Sequence, residues 1–168
     1  AVDFGDMLLH TLCLLRDHED VRNTLQKRYT HILVDEYQDT NPVQYKLLKH
    51  LVSDEHSLTV VGDDDQSIYR WRGADIKNIL GFERDFPGAE VIRLEQNYRS
   101  TQTILNAANG VIAHNTGRKG KTLFSAGESG ELLSLRIFGT EREEADAMAG
   151  RIQEGFKHAL SPSEVAIL

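Results

Sequence analysis

The sequence has a single cysteine among its 168 residues, Cys13, and it sits inside an apolar helical pattern. One thiol makes neither a disulfide framework nor a cysteine metal cluster, which fits a reducing, cytoplasmic setting. No apolar run approaches the roughly 20 residues that cross a bilayer, and no secretory leader opens the chain. A basic excess is missing as well. The net charge is −7; residues 1–88 carry 16 acids against 10 bases, and residues 89–168 carry 10 against 9. That balance is not the one expected of a typical nucleic-acid binder, and it confines any such binding to a local surface. The histidines at 10, 18, 31, 50, 56, 114 and 158 show neither paired metal spacing nor a nucleophile partner. There is one tryptophan, Trp71, and it lies between Arg70 and Arg72.

What is present is 40% hydrophobic and 27% charged, ordinary for a globular chain. Phe4, Met7, Leu8, Leu12 and Leu15 recur at helical spacing, and a second helix is expected over about 18–29. The β-branched run His31–Val34 reads as a strand and runs straight into Asp35-Glu36. Asn41-Pro42, with Gln44 three residues after the cap, starts a helix carrying Val43, Leu47, Leu48, Leu51 and Val52. Leu58–Val61 is the next strand. Strand, helix, strand at this spacing is a βαβ unit with parallel strands. Its ligand site belongs at the carboxyl ends of the strands, so the loops Asp35–Thr40 and Gly62–Gly73 are expected side by side. The pattern then gives a helix over about 75–86, a strand at Val91–Leu94, and a helix capped by Ser100. A strand at Leu132–Phe138, a long amphipathic helix over 141–158 and a final strand at Val165–Leu168 complete it. Periodicity alone gives one α/β domain, with Phe86-Pro87-Gly88 its one obvious break. The first residues lack a starting Met and the last read as an unfinished strand, so the chain is expected to be a fragment of something longer.

Several constellations carry chemistry, each against a plainer alternative. An apolar strand ending in Asp35-Glu36 is the Walker B pattern, in which the Asp holds Mg²⁺ and the Glu handles the attacking water. Many strands also end in acids that merely cap the next element. Asp63, Asp64 and Asp65 read as a polar site or as a solvated turn. Gln66 beside them can sense a terminal phosphate or bond the backbone. Tyr69 and Trp71 interleaved with arginines suit single-stranded nucleic acid, whose bases stack for about 1–3 kcal/mol each; burial is the other fate of such rings. Arg99 is a phosphate ligand or a surface charge. Gly117-Arg-Lys-Gly-Lys-Thr122 imitates the end of a P-loop. Asn115 stands where the first glycine belongs, and a helix rather than a strand precedes it, so it reads as a basic surface loop and the chain carries no P-loop.

Together these residues closely resemble the superfamily 1 DNA helicases of the UvrD/PcrA/Rep type. Asp3-Phe4-Gly5-Asp6-Met7-Leu8 is similar to the run before that family's Walker B strand. Leu33–Asn41 (Leu-Val-Asp-Glu-Tyr-Gln-Asp-Thr-Asn) resembles helicase motif II, Val61–Ala74 motif III, and Leu94–Ser100 (Leu-Glu-Gln-Asn-Tyr-Arg-Ser) motif IV. The resemblance runs through essentially the whole chain and weakens after about residue 115.

The resemblance implies an α/β fold built from parts of two RecA-like P-loop NTPase domains, mostly parallel sheet flanked by helices. Residues 1–88 belong to domain 1A and 89–168 to the first part of domain 2A. It implies ATP and Mg²⁺ as cofactors, with Asp35 on the metal, Glu36 as base toward water and Gln66 on the γ-phosphate. Tyr98 stacks on adenine and Arg99 acts as arginine finger. Tyr69 and Trp71 stack on DNA bases, and Arg72 links the DNA surface to the nucleotide. The implied activity is ATP-driven 3′→5′ translocation on single-stranded DNA and unwinding at single-strand/duplex junctions, with no membrane partner. The fragment alone is expected to be inactive and to self-associate through exposed sheet edges. A helicase subunit of a helicase-nuclease, and a non-catalytic DNA-binding module with helicase remnants, are the alternatives.

Overall fold

The computed structural model describes residues 1–167. Its first helix, α1 (Phe4–Asp17), begins at a reciprocal cap. Asp3 Oδ1 accepts from the Asp6 N–H at 2.8 Å and Asp6 Oδ2 accepts from the Asp3 N–H at 3.2 Å. The helix α2 (Glu19–Arg28) follows, then the strand β1 (His31–Val34). The helix α3 (Pro42–Leu51) starts as its sequence predicts. Asn41 Oδ1 accepts from the N–H groups of Val43 and Gln44, both at 2.9 Å, and Gln44 Oε1 accepts from Asn41 N–H at 2.9 Å. The strand β2 (Ser57–Val60) pairs parallel with β1 in the register His31 to Ser57 and Val34 to Val60. The helices α1, α2 and α3 pack on one another and bury Leu12, Leu15 and Leu48. Burial of side chains of this size stabilises by about 1.5–3 kcal/mol each. The result is a mixed helical and parallel-sheet architecture, as the βαβ spacing implies.

Several expected elements differ. The helix predicted over 75–86 breaks at Gly81, whose φ −92° and ψ 3° depart from helical values, into α4 (Lys77–Leu80) and α5 (Phe82–Asp85). The helix α6 (Gln102–Ile112) has Thr101 rather than Ser100 at its N-cap. The carbonyl of Asn97's side chain instead accepts from Arg99 N–H at 2.9 Å and Ser100 N–H at 2.7 Å. The runs predicted as strands at Val91–Leu94 and Leu132–Phe138 are unpaired, with Leu94 78% and Leu135 92% exposed. A strand is held by its neighbour's ladder as much as by its own β-branched residues. Near the first run only one parallel bridge forms, Gln96 to Phe124, and none forms at the second among the described residues. Val165–Ile167 is likewise not a strand, and Leu168, the last residue of that predicted element, lies outside the described residues.

The chain divides into two compact units, Ala1–Ser129 and Gly130–Leu168. The second holds the helix α7 (Glu141–Lys157), capped by Thr140 Oγ1 on the Glu143 N–H at 3.2 Å, and a short turn at Pro162–Glu164. On this helix Met148 and Phe156 are exposed. Among the described residues no helix is long and apolar enough to cross a membrane.

Candidate functional site

The parallel pairing of β1 and β2 sends both chains out at the same edge of the sheet. The ladder continues into the loops, where Val61 N–H donates to the Val34 carbonyl at 2.8 Å and Tyr37 N–H to the Val61 carbonyl at 3.0 Å. The loops Asp35–Thr40 and Gly62–Gly73 therefore start side by side, as predicted.

Asp35 and Glu36 are exposed at that edge. Asp35 Oδ1 accepts from the Glu36 N–H at 2.9 Å. Glu36 adopts φ 49°, ψ 43°, a left-handed conformation that a non-glycine residue holds only when its surroundings fix it. What fixes it follows directly in the chain. Tyr37 is fully buried and meets the Phe82 ring edge-on at 5.6 Å. Gln38, only 1% exposed, donates from Nε2 to Glu36 Oε2 at 2.7 Å and accepts at Oε1 from the Asp63 N–H at 2.9 Å. One side chain thus bridges the two loops. Gly62 makes room for it, since a Cβ there would lie 2.7 Å from Gln38 Oε1 and 2.9 Å from Ile79 Cδ1. Asn78, also buried, donates to the Thr40 carbonyl at 3.0 Å and so ties α4 to the first loop.

The acids of the second loop are not a solvated turn. Asp63 Oδ2 accepts from the Gln66 amide at 2.7 Å, and Lys121 Nζ lies 2.5 Å from Asp63 Oδ1. Arg118 grips Asp65 with both Nε, at 2.7 Å, and Nη2. Lys119 N–H donates to Asp64 Oδ2 at 2.9 Å, while its ammonium pairs with Glu83 at 2.5 Å. The stretch 117–122, expected as a basic surface loop, is thus docked on the acids of motif III, and its cations face carboxylates. Burial pushes the Asp63 carboxyl up. The Lys121 ammonium, the Gln66 amide and the Asp65 N–H together outweigh that and leave it below the usual carboxylate range.

Tyr69 and Trp71 stand outward, Trp71 79% exposed, with ring centroids 6.3 Å apart. The Arg72 guanidinium lies 5.5 Å from the Tyr69 centroid and 5.6 Å from that of Trp71. Gly73, at φ 91°, closes the turn. The rings are not core: they form an exposed aromatic and cationic patch. Tyr98 and Arg99 are exposed too, Tyr98 at 87%. Among the described residues no hydrogen bond, ion pair or ring contact joins their side chains to Asp35, Glu36 or Gln66.

The donor set suits one hard cation only in company. No three His, Cys, Asp or Glu side chains converge among the described residues. Mg²⁺ is commonly held by one or two carboxylates plus water and substrate phosphate rather than by an all-protein cage, so the exposed Asp35 fits that ion.

Sequence reasoning named the acids, Gln66 and the aromatic pair, passed over Gln38, Asn78 and Asn97, and read the docked cations only as a basic surface loop. Gln38 sits two residues beyond Glu36, and Gly62 opens the neighbouring strand's loop. That pairing of a Gln with a Gly across two strand ends was the available signal.

Residues 1–87 match the UvrD/REP helicase N-terminal domain, and residues 92–168 match the UvrD-like helicase C-terminal domain. The ATP-dependent DNA helicase PcrA of Staphylococcus aureus (strain Mu50) is 49% identical over all 168 residues, and that of Staphylococcus epidermidis is 48% identical over the same length. The match covers 100% of this chain and 23% of each relative, so the chain spans under a quarter of the length of the curated relatives it matches. The ordered motifs, the parallel strand ends that carry them and these matches agree: the chain belongs to the UvrD/Rep helicase family, of the UvrD/PcrA type.

Proposed function

We propose that these residues form part of the ATP site and the DNA-tracking surface of an ATP-dependent 3′→5′ DNA helicase. In this reading residues 1–88 belong to one RecA-like domain and 89–168 to a second, and the protein is cytoplasmic. It acts on single-stranded DNA and its junctions with duplex.

The observation that carries the reading is the join between two surfaces. Gln66 lies on a loop hydrogen-bonded to the Glu36 loop, and three residues later the same loop presents the exposed platform of Tyr69, Trp71 and Arg72. Glu36 accepts the proton of the water that attacks the terminal phosphorus and orients that water in line with the leaving oxygen. Asp35 would hold Mg²⁺, which would supply charge neutralisation at the phosphate. Gln66 exchanges its bond to Asp63 for one to the γ-phosphate, so that nucleotide state is felt within the segment that holds the DNA. Tyr98 stacks on adenine, and Arg99 stabilises charge on the transferring group. Tyr69 and Trp71 stack on bases of any identity, which suits tracking along a strand. Residues 1–168 taken alone hydrolyse ATP poorly, because no P-loop is among them, and they self-associate through the open edges of β1 and β2.

In the complete helicase that carries these residues, Glu36→Gln is expected to abolish ATP turnover and spare nucleotide binding. Trp71→Ala is expected to weaken single-stranded DNA binding by about 1–3 kcal/mol and to lower DNA-stimulated hydrolysis, with basal hydrolysis kept. Steady-state hydrolysis with and without oligonucleotide checks both. Turnover that survives Glu36→Gln removes the base assignment, and unchanged DNA affinity in Trp71→Ala removes the platform.

A further inference from the structure

We infer that Gln38 is a positioning residue for ATP hydrolysis: its buried amide holds the Glu36 carboxylate in its working orientation and indexes it to the loop bearing Gln66. The inference rests on the assignment of Glu36 as the base under the proposed function.

Both ends of the amide are used. Nε2 donates to Glu36 Oε2 at 2.7 Å, and Oε1 accepts from the Asp63 N–H at 2.9 Å. An amide is planar, so fixing its oxygen on the Asp63 backbone fixes the direction in which its nitrogen points. At 1% exposure the amide itself lies out of solvent, so it does not exchange these two bonds with bulk water while it is in place. The backbone of Glu36 is held in the left-handed region and its N–H is engaged by Asp35, which leaves the side-chain torsions as its freedom. The Gln38 bond is the one hydrogen bond that restrains the Glu36 carboxylate among the described residues.

Gly62 supports the arrangement from the other side. Any side chain there would drive its Cβ to 2.7 Å from Gln38 Oε1, so the close approach of the loops and the amide bridge are one device. A displacement of the Asp63–Gln66 loop pulls the oxygen end of the amide, and the nitrogen end carries the Glu36 carboxylate with it. The base is thereby read against the position of the loop that also bears the aromatic platform. A general base displaced by about 1 Å loses on the order of 10²-fold in rate, and correct placement of an exposed carboxylate is what a buried partner supplies.

The test is steady-state ATP hydrolysis, with separate equilibrium binding of a fluorescent ATP analogue and of an oligonucleotide, by the complete helicase carrying Gln38→Met, which keeps length and shape but removes donor and acceptor. The kcat is expected to fall about 10- to 100-fold while both dissociation constants stay within about twofold. An unchanged kcat overturns the inference. So does a loss of nucleotide affinity as large as the loss of kcat, since a merely structural role damages both together. Where Gln38→Met does not fold, Gln38→Asn, one methylene short and able to reach one partner at a time, is read the same way. Glu36→Gln measured in parallel separates the two claims. Turnover lost in Glu36→Gln but intact in the Gln38 variant removes the positioning role alone, whereas turnover intact in Glu36→Gln removes the base assignment on which it stands.

Discussion

Tyr37 shows how much of the site's rigidity rests on single side chains. Its ring is fully buried against Phe82, and its hydroxyl is buried without a hydrogen-bond partner among the described residues. Burial, helped by Tyr45 and Asp85, pushes that hydroxyl's pKa up to about 12. An unpaired buried hydroxyl costs its desolvation, whereas the ring contributes packing. Tyr37→Phe is therefore expected to leave stability unchanged or raise it by about 1 kcal/mol, measured as the denaturant midpoint. A loss of comparable size would show that the hydroxyl has a partner in solution. Tyr37 was legible in the sequence only as part of a motif. Its burial is not, because nothing in Asp-Glu-Tyr-Gln says which of four consecutive side chains turns inward. The left-handed backbone at Glu36 makes that decision, sending Glu36 out and Tyr37 and Gln38 in.

At the scale of elements, the docked stretch 117–122 acts as an ionic latch on the motif III loop. Lys121 pairs with Asp63, which in turn holds the Gln66 amide, so the latch sets where Gln66 rests. Because the Asp63 carboxyl sits below its ordinary range when folded, it binds protons more weakly in the native state than in the unfolded chain. Its contribution is then full above the ordinary carboxylate pKa and is lost as pH falls through the lower folded value, below about pH 4. Lys121→Met is expected to destabilise by about 1 kcal/mol at pH 7, with the gap to the parent closing on acidification. Chemical denaturation at pH 7 and at steps down to about pH 2 measures it. A gap that is constant with pH would place the Lys121 effect elsewhere. Strands behaved differently from caps at this scale. The Asn41-Pro42-Gln44 cap formed as written, because every partner lies within three residues. Val91–Leu94 and Leu132–Phe138 did not form strands, because a ladder needs a neighbour that local sequence does not specify.

For the molecule as a whole, the βαβ core is small and its sheet has two strands, so both β1 and β2 keep one open edge among the described residues. Large apolar side chains outside it are exposed, among them Leu94 at 78%, Leu132 at 91% and Ile137 at 91%. Open edges and apolar extended runs are templates for further pairing. Residues 1–168 in isolation are expected to associate, their light-scattering mass rising with concentration. A constant monomer mass across that range would sink this expectation. The latch and the site belong to the Ala1–Ser129 unit, and so do both open strand edges.

The sequence by itself determined the motifs, their order, the parallel pair of strands and the juxtaposition of their two loops. Each of these follows from short-range patterning or from the handed geometry of a βαβ unit. Only the tertiary structure decided which side chains close the site. That Gln38 is buried between the loops and that Arg118, Lys119 and Lys121 face the acids rather than solvent depend on residues distant in the chain. Arg118 meets Asp65 and Gln38 meets Asp63 across separations that no periodicity encodes, because a charge or an amide has the same sequence signature whether water or another part of the chain satisfies it.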